Sequence, residues 1–463
     1  MRRRRGRQQD PAKTTDPMIG KTVDVTIDDI GSSGDGVGRL QGKPVYVALA
    51  LPGDRLHVRL RARQGDGYAG ERVEAYTLMP RHQPVCDHFG ACGGCRLQHL
   101  PPAGYRDWKR RQIETALASR GLTEVAVKPL IDGDLGTRRR LRLAFRQAGG
   151  QMLLGFRRRL GRDLVLIDEC PITVPAIVAL LQPLRRCLAG LDMASKGGEV
   201  TITAVENGLD LLLETQTEPA LADREALAAF ANEADLARLA WRPDAKSEPE
   251  PLAIRRQPMV AFGSLAMARP PRVARPPRVA LPLRVALPPG AFLQASEEAE
   301  RAIQSAVDSA IGQSQNIADL FAGCGALSTP LARAGRRVHA IERDPAMIRA
   351  LEAAARAADL EGKVSAETRD LDREPLSGRE LASFDALIID PPRAGASTQI
   401  AAIAGAHGPK NIAMVSCNPK TFARDARTLI NAGYSLAWVQ PIDAFLYAAE
   451  IELVGAFERT LTP

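Results

Sequence analysis

The chain has 463 residues, of which 45% are hydrophobic, enough for roughly two to four domains with separate cores. Its 62 Lys and Arg exceed its 54 Asp and Glu, and the formal charge of +8 suits a polyanionic partner, although an arginine-rich genome would explain it as well. The chain lacks the apolar run of roughly 18 residues that spans a membrane, and seven cysteines argue against a disulfide scaffold. We therefore expect a cytoplasmic protein whose cysteines serve metal binding or catalysis.

The N-terminal part of the chain divides into a basic tail and a set of short β-type runs. Residues 1–16 begin MRRRRGRQQD, lack the apolar stretch of a signal peptide, and predict a disordered arm. Residues 17–78 contain runs such as TVDVTIDDI and DRLHVRLRAR between glycine-rich turns, which is typical of a small β-barrel. The stretch DIGSSGDGVGRLQGKPVYVALALPGDRLHVRL resembles a TRAM domain, an OB-like module, and this resemblance implies RNA binding; an unrelated small barrel is the alternative.

Residues 79–268 predict a central domain in which strands predominate. A helix is predicted in YRDWKRRQIETALASRGL, and the alternation of apolar and basic side chains in RRRLRLAFR predicts a strand with one basic face. That face either contacts RNA or is only solvated. Residues 269–290 carry the repeat RPPRVA RPPRVA LPLRVA LPPG, whose prolines forbid a helix and predict an extended linker or sheet edge.

Three cysteines lie in one tight loop of this central region, CDHFGACGGCRLQHL. Cys86, Cys92 and Cys95 need a fourth ligand to complete a four-coordinate centre. Cys170 is the best candidate because it precedes a proline at a strand end in the adjacent β region. Zinc usually draws on two C-x2-C pairs or on histidines, and the sequence has no second pair, although histidines lie nearby. An iron–sulfur cluster is therefore favoured over zinc.

Residues 291–463 predict an α/β domain with a doubly wound parallel sheet. The apolar runs NIADLFAG, RVHAIE, FDALIID and IAMVSC alternate with helical segments. The first run leads into a glycine turn, DLFAGCG, and the second ends at Glu342, which is placed to accept both hydroxyls of a ribose. A dinucleotide would need a G-x-G-x-x-G turn, whereas two glycines beside Asp319 suit the ammonium of S-adenosylmethionine. We favour this methyl donor over NAD.

Two further strand ends indicate which atom receives the methyl group. The turn DPPRAG begins at Asp390 and is similar to that of exocyclic-amine methylases, but Arg393 replaces the aromatic residue that stacks on their target base. The run MVSCNP places Cys417 one strand away. Carbon 5 of uracil is a poor nucleophile until a thiolate adds to carbon 6, which explains a thiol at this edge. A base must then remove the C5 proton, and Glu452, with Glu450 as its rival, is the candidate.

Residues 292–463 resemble the RNA uracil-5 methyltransferase family, whose most specific motifs include SCNPKTFARD and DPPRAG. The resemblance implies a class I methyltransferase sheet, with Cys417 as the nucleophile and Glu452 rather than Glu450 as the base. Two family asparagines are replaced, one by Ser296 in FLQAS and one by Ala326 after the glycine turn. The donor contacts that the resemblance implies are Gln294, Phe321, Glu342, Asp370 and Asp390.

The cysteine spacing is similar to that of the [4Fe-4S] site in the ribosomal-RNA branch of this family. The resemblance implies that Cys86, Cys92, Cys95 and Cys170 bind the cluster, the last from a CPI turn. A barrel together with a cluster favours 23S ribosomal RNA over transfer RNA as the substrate, with the uridine flipped out of its stack. We infer no obligate protein partner. The alternative is a non-catalytic ribosomal-RNA assembly factor, which would need neither the thiol nor the base.

Overall fold

The computed structural model describes residues 16–159, 161, 163–263, 283–406 and 408–459. The predicted N-terminal arm, up to residue 15, and residues 269–282 of the proline-rich repeat lie outside them. The chain forms two compact units, Met1–Gln83 with Arg96–Pro102, and Pro84–Cys95 with Ala103–Pro463. Among the described helices, none combines the length and apolarity needed to cross a lipid bilayer.

The first unit contains a closed five-stranded barrel, which confirms the predicted fold of this region. Its strands are β1 (Thr22–Ile30), β2 (Gly36–Leu40), β3 (Lys43–Val47), β4 (Arg55–Gln64) and β5 (Gly67–Thr77). They follow each other around the barrel in the order β1-β2-β3-β5-β4, and β1 pairs with β4 to close it. Alternate apolar side chains fill the interior. Gly38 allows β1 and β2 to approach closely, because a Cβ there would lie 2.2 Å from the carbonyl oxygen of Thr26.

The second unit begins with a helix and a seven-stranded sheet. Its elements are α1 (Pro102–Ala118), β6 (Ala126–Val127), β7 (Arg140–Ala148), β8 (Gln151–Arg157), β9 (Leu164–Leu166), α2 (Pro175–Ala189), a 3-10 turn (Asp192–Ala194), β10 (Gly198–Val205), β11 (Gly208–Glu214), α3 (Leu221–Glu233), β12 (Arg238–Arg242) and β13 (Glu250–Ile254). The sheet order is β13-β12-β11-β10-β7-β8-β9, and its apolar face shares a core with α2 and α3. On β7, Arg142 Nη2 lies 2.5 Å from Glu199 and 2.7 Å from Glu214, so acids neutralise part of the predicted basic face.

A two-stranded ribbon and an eight-stranded sheet complete this unit. The ribbon pairs β14 (Met259–Phe262) with β15 (Leu283–Ala286), so the end of the predicted linker forms a strand. The remaining elements are α4 (Glu297–Ile311), β16 (Asn316–Leu320), α5 (Ser328–Arg333), β17 (Arg337–Glu342), α6 (Pro345–Ala357), β18 (Val364–Thr368), α7 (Gly378–Leu381), β19 (Ala386–Ile389), α8 (Ser397–Ala404), β20 (Asn411–Ser416), α9 (Pro419–Asn431), β21 (Tyr434–Ile442) and β22 (Glu452–Arg459).

The large sheet is doubly wound, as predicted, in the order β18-β17-β16-β19-β20-β22-β21-β6. Strands β16 to β20 are parallel, and the central ones, β16, β19 and β20, are buried on both faces, which explains their continuous apolar runs. The strand order reverses between β16 and β19, where open α/β sheets bind their ligands at the carboxyl edge. Strand β22 runs antiparallel to β20, with Leu453 opposite Ser416. The start of β22 therefore meets the end of β20 at this same edge.

The packing of β22 against α9 can be tested at Gly455. A Cβ at this position would lie 2.4 Å from Phe422 Cζ, and Phe422 is itself fully buried. We expect Gly455→Ala to lower the free energy of unfolding by about 1–3 kcal/mol, measured by thermal or denaturant unfolding. In the matched control, Gly405→Ala, the added Cβ meets its nearest neighbour at 3.5 Å with φ at −81°, so stability should be unchanged or slightly higher. Equal effects of the two substitutions would contradict this packing.

Candidate active site

The turns that carry Cys417 and Asp390 are joined by side-chain hydrogen bonds at the carboxyl edge of the sheet. Cys417 directly follows β20, and Asn418 caps the N-terminus of α9 by accepting the N–H of Lys420 at 3.1 Å. The Asn418 amide also donates to the carbonyl oxygen of Arg393 at 3.2 Å. The SCNP and DPPRAG turns therefore hold each other in place, and the Cys417 thiol is close enough to the second turn for Arg393 and Asp390 to affect its pKa.

The thiol of Cys417 is partly buried, and more acidic than basic side chains act on it. Burial raises its pKa to about 11, and the nearby carboxylate of Glu452 contributes in the same direction. The guanidinium of Arg393 opposes this rise by stabilising the thiolate, while Asp390 adds to it. In the free protein at neutral pH the thiol is therefore mainly protonated, and a positive charge placed near it would favour the more nucleophilic thiolate.

Two carboxyl groups next to the thiol have raised pKa values. Glu452 opens β22 and is 4% exposed, and burial together with the charge of Asp390 raises its pKa well above the ordinary value. Burial also raises the pKa of Asp390 to about 7. Glu450 differs, because it is partly exposed and its Oε1 lies 3.5 Å from Arg393 Nη1. Of the two candidate bases, only Glu452 has the buried environment that was predicted.

The predicted donor loop follows β16 and is bound to the end of β17. The N–H groups of Gly323 and Asp344 donate to the two carboxylate oxygens of Glu342 at 3.1 and 3.0 Å. Phe321 has a left-handed backbone with φ of 64°, which is rare for a residue that is not glycine and is often found at functional sites. Asp370 lies in the turn beyond β18, one strand further out, where its side chain accepts the N–H of Asp372 at 3.1 Å.

Buried oxygens near the reversal of strand order lack partners in the described part of the chain. Asp319 is fully buried in β16, and its Oδ2 accepts a hydrogen bond from Ser328 at 2.5 Å while its Oδ1 has none. Burial raises the pKa of Asp319 to about 7. The side-chain oxygen of Gln294 is likewise buried and unpaired. Buried acceptors are normally satisfied, so these two atoms fit a ligand with hydrogen-bond donors.

Gln294 is fixed in place by Arg139, a residue that sequence reasoning missed. The Arg139 guanidinium donates to the carbonyl oxygen of Gln294 at 3.0 Å and to Glu300 at 2.6 Å. Ser296, which replaces a family asparagine, caps α4 by accepting the N–H of Ala299 at 3.1 Å. Arg139 gave no signal in the sequence because it lies in a run of arginines, RRRLR, and contacts Gln294 far along the chain.

The four predicted cluster cysteines lie near one another in the second unit. The cysteine loop pairs with the end of β8, where Gly93 N–H donates to the carbonyl oxygen of Arg157 at 3.0 Å. Burial raises the pKa of both Cys86 and Cys92, and the charge of Cys170 adds to each increase. The charges of Cys170 and Cys95 both act on the guanidinium of Arg138, and none of the four cysteines forms a disulfide. Within the described residues, however, no three His, Cys, Asp or Glu side chains are arranged to hold a single metal ion.

Two family models match the chain, one for each predicted RNA-related region. The TRAM domain matches residues 17–64, and the tRNA (Uracil-5-)-methyltransferase family matches residues 285–459. An uncharacterized RNA methyltransferase of Mesorhizobium japonicum is 38% identical over 434 residues, which cover 94% of this chain and 97% of the relative. A 23S rRNA (uracil(1939)-C(5))-methyltransferase of Aeromonas salmonicida is 29% identical over 460 residues, covering 96% and 98%.

A solved structure has the same fold over most of its length. It is the tRNA (uracil-54, C5)-methyltransferase of Pyrococcus abyssi in complex with S-adenosyl-L-homocysteine, with a TM-score of 0.70 and 21% identity. The match covers 94% of this chain and 99% of that one. A doubly wound sheet with this carboxyl-edge site, following a TRAM barrel, defines an RNA methyltransferase. More particularly, the chain belongs to the RNA uracil-5 methyltransferase family. These findings confirm the predicted family and enzyme class. They argue against the alternative of a non-catalytic assembly factor.

The raised pKa of Cys417 predicts how its alkylation depends on pH. Because only the thiolate reacts, a thiol with a pKa of about 11 should be alkylated by iodoacetamide about tenfold faster for each pH unit between about 7 and 9. Glu452→Gln removes a neighbour that is negative once ionised, so it should lower this pKa and speed the reaction at the alkaline end of the range. Peptide mass spectrometry follows Cys417 separately from Cys187, whose pKa burial also raises to about 11 and which serves as the control. A Cys417 rate that levels off below pH 8 would refute the assignment.

Proposed function

We propose that this protein transfers a methyl group from S-adenosylmethionine to carbon 5 of a uridine in 23S ribosomal RNA through a transient bond between Cys417 and carbon 6. The observation that carries the proposal is the meeting of a partly buried thiol and a buried carboxyl group, Cys417 and Glu452, at the ligand-binding edge of the sheet. Binding to RNA requires neither group. Methylation of a nitrogen would not require the thiol.

The proposed donor site combines the carboxylate that holds the donor loop with two buried oxygens that have no partner in the described residues. Glu342 is placed to bind the ribose hydroxyls of S-adenosylmethionine. Asp319 and Gln294 offer unpaired oxygens to the other polar groups of this donor. When bound, S-adenosylmethionine supplies the electrophilic methyl carbon that uracil C5 attacks. Its positive charge suits a site whose carboxyl groups Asp319 and Asp390 have raised pKa values. Asp370, farther from the reversal of strand order, is a more peripheral contact in this proposal, and Phe321 shapes the loop.

In the proposed addition step, the Cys417 thiol releases its proton to water, and a lone pair of the thiolate sulfur forms the bond to uracil C6. The C5–C6 π electrons shift toward the O4 carbonyl, which makes C5 nucleophilic. The guanidinium of Arg393 already favours the thiolate in the free protein, and the cationic donor would lower the pKa of Cys417 further. The uridine must leave its stack for the sulfur to reach C6.

In the proposed elimination step, Glu452 acts as the general base. Its carboxylate accepts the C5 proton, the electrons of the C–H bond form the C5–C6 double bond, and the C6–S bond breaks to release Cys417 as a thiolate. A carboxyl group with a raised pKa is a better base than an exposed one at neutral pH. Glu450 is engaged instead with Arg393.

The choice of 23S rRNA is supported by the full-length similarity to an enzyme named for that substrate and by the TRAM domain. Such a substrate implies a cytoplasmic location. A tRNA uridine is the second candidate, and it is favoured by the name of the family model and by the archaeal structure with the same fold. The two candidates share the chemistry at Cys417 and differ only in the RNA that is bound.

The four neighbouring cysteines are proposed to hold a [4Fe-4S] cluster. The charges of neighbouring cysteines raise the pKa of Cys86 and Cys92, and a cluster would neutralise such a set of thiolates, none of which is in a disulfide. Each thiolate binds a different iron of such a cluster, so the sulfurs need not converge on one ion. When bound, the cluster would link the loop of Cys86, Cys92 and Cys95 to the turn at Cys170. Zinc is the alternative occupant.

A single trapping experiment tests both the covalent chemistry and the substrate. In RNA from cells grown with 5-fluorouridine, C5 carries fluorine in place of the removable proton, so the adduct cannot eliminate. We expect the protein with S-adenosylmethionine to form a covalent complex that survives denaturation, and sequencing of the trapped RNA should identify 23S rRNA. Cys417→Ala should trap none, whereas Cys187→Ala is the matched thiol control. Trapped tRNA would select the second candidate, and no adduct with the unsubstituted protein would refute the covalent mechanism.

The cluster is tested by the metal content of protein purified without oxygen. We expect about four iron and four sulfide per chain, with broad visible absorption. Cys170→Ser should lose most of the iron, and Cys187→Ser should retain it. About one zinc per chain would support the alternative, and unchanged iron in Cys170→Ser would remove this residue from the ligand set.

A further inference from the structure

We propose that Tyr105, Lys109 and Asp443 position the general base by holding the loop that precedes it. This base loop comprises residues 443–451, which form turns and bends in the described structure and lead directly into Glu452. The inference rests on the proposed role of Glu452. It assigns an indirect catalytic role to α1, a helix that follows the cysteine loop and contributes none of the predicted site residues.

A single buried ammonium contacts the base loop at three places. Lys109 has no exposed surface, and its Nζ lies 2.9 Å from Asp443 Oδ1. The same Nζ donates to the carbonyl oxygens of Phe445 at 3.2 Å and Glu450 at 2.5 Å. The ammonium therefore donates to two backbone carbonyls of the loop and forms an ion pair with the carboxylate at its start.

Tyr105 adds a hydroxyl to this network from the same face of α1, one helical turn earlier. Its hydroxyl donates to Asp443 Oδ2 at 2.6 Å and accepts the N–H of Tyr447 at 2.8 Å. Tyr447 has a left-handed backbone with φ of 59°, an unfavourable conformation that needs support from its surroundings. The hydroxyl therefore links the carboxylate at the start of the loop to its strained middle.

The network is better explained by positioning than by stability alone. A buried ion pair seldom stabilises a protein more than apolar side chains of similar size would, because both charges lose their hydration. The network instead constrains the geometry of the loop, because the acceptors of an ammonium must lie at defined angles around its nitrogen. The far end of the loop is also held by Arg393, through the carboxylate of Glu450. Glu452 is thereby fixed relative to the turn that faces Cys417.

The consequence for the reaction is confined to one step. Addition of Cys417 to C6 and methyl transfer precede the removal of the C5 proton, so a displaced Glu452 should leave them largely intact. Elimination, in which the carboxylate takes the proton and the C6–S bond breaks, should slow. The methylated RNA should then accumulate while still bonded to the protein.

The test uses Tyr105→Phe, which keeps the ring and removes only the hydroxyl. In a single turnover with ordinary RNA and donor carrying a labelled methyl group, we expect methyl transfer within about twofold of the unsubstituted rate and release about tenfold slower. The labelled covalent complex should accumulate on denaturing gels. Tyr434→Phe is the matched control, because this buried hydroxyl donates to the carbonyl oxygen of Pro409, away from the loop. It should release RNA at the unsubstituted rate.

A second variant and a trapping control separate the possible failures. Lys109→Met should show a larger accumulation where it folds, as judged by its melting temperature and its binding of S-adenosylhomocysteine. If transfer and release slow equally in Tyr105→Phe, or if it behaves like Tyr434→Phe, the positioning role is refuted. If 5-fluorouridine RNA does not trap even the unsubstituted protein, the covalent function has failed instead.

Discussion

The site depends on one reversal of strand direction at the end of the chain. Strands β16 to β20 are parallel, so their carboxyl ends form one edge, which carries Glu342, Asp390 and Cys417. Another parallel strand beside β20 would present its own carboxyl end there. Because β22 is antiparallel, its first residue, Glu452, comes to this edge instead. A thiol and its proposed base are thus brought together from opposite ends of two hydrogen-bonded neighbouring strands.

This geometry places several carboxyl groups in a poorly hydrated region. Asp319, Asp390 and Glu452 all have raised pKa values because burial disfavours their charged forms, and the charges of their neighbours add to the effect. The same burial keeps the thiol of Cys417 protonated in the free protein. A cationic ligand would reverse both tendencies by favouring carboxylates and thiolate together. Binding of the cationic ligand and activation of the Cys417 thiol would then have the same electrostatic cause.

Local patterns were sufficient to predict the elements that place the site. Apolar runs predicted the parallel strands β16, β17, β19 and β20 but not the edge strand β18, and glycine, proline or asparagine after these runs located the turns that carry Glu342, Asp390 and Cys417. The barrel was predictable for the same reason, from alternation and glycine turns. These features arise within about ten residues of chain, where the sequence carries its strongest signals.

Long-range pairing escaped prediction, because nothing in a local pattern marks it. The strand Leu283–Ala286 lies in what was predicted as a linker, since its partner, Met259–Phe262, lies beyond the proline-rich repeat. Acids far along the chain pair with Arg142 and reduce its predicted basic character. The network of Tyr105, Lys109 and Asp443 joins residues more than 300 positions apart.

Arg139 shows why the central sheet belongs to the architecture of the active site. It lies immediately before β7, its backbone N–H donates to the carbonyl oxygen of Ala295, and its guanidinium donates to Gln294 and Glu300. The proposed donor contact Gln294 lies before α4 in a segment without regular structure, so its own backbone does not fix its orientation. A planar guanidinium with several donors can constrain both the carbonyl of that segment and the first turn of α4. The central sheet therefore orients the segment of the catalytic domain that carries Gln294, in addition to any surface it offers to RNA.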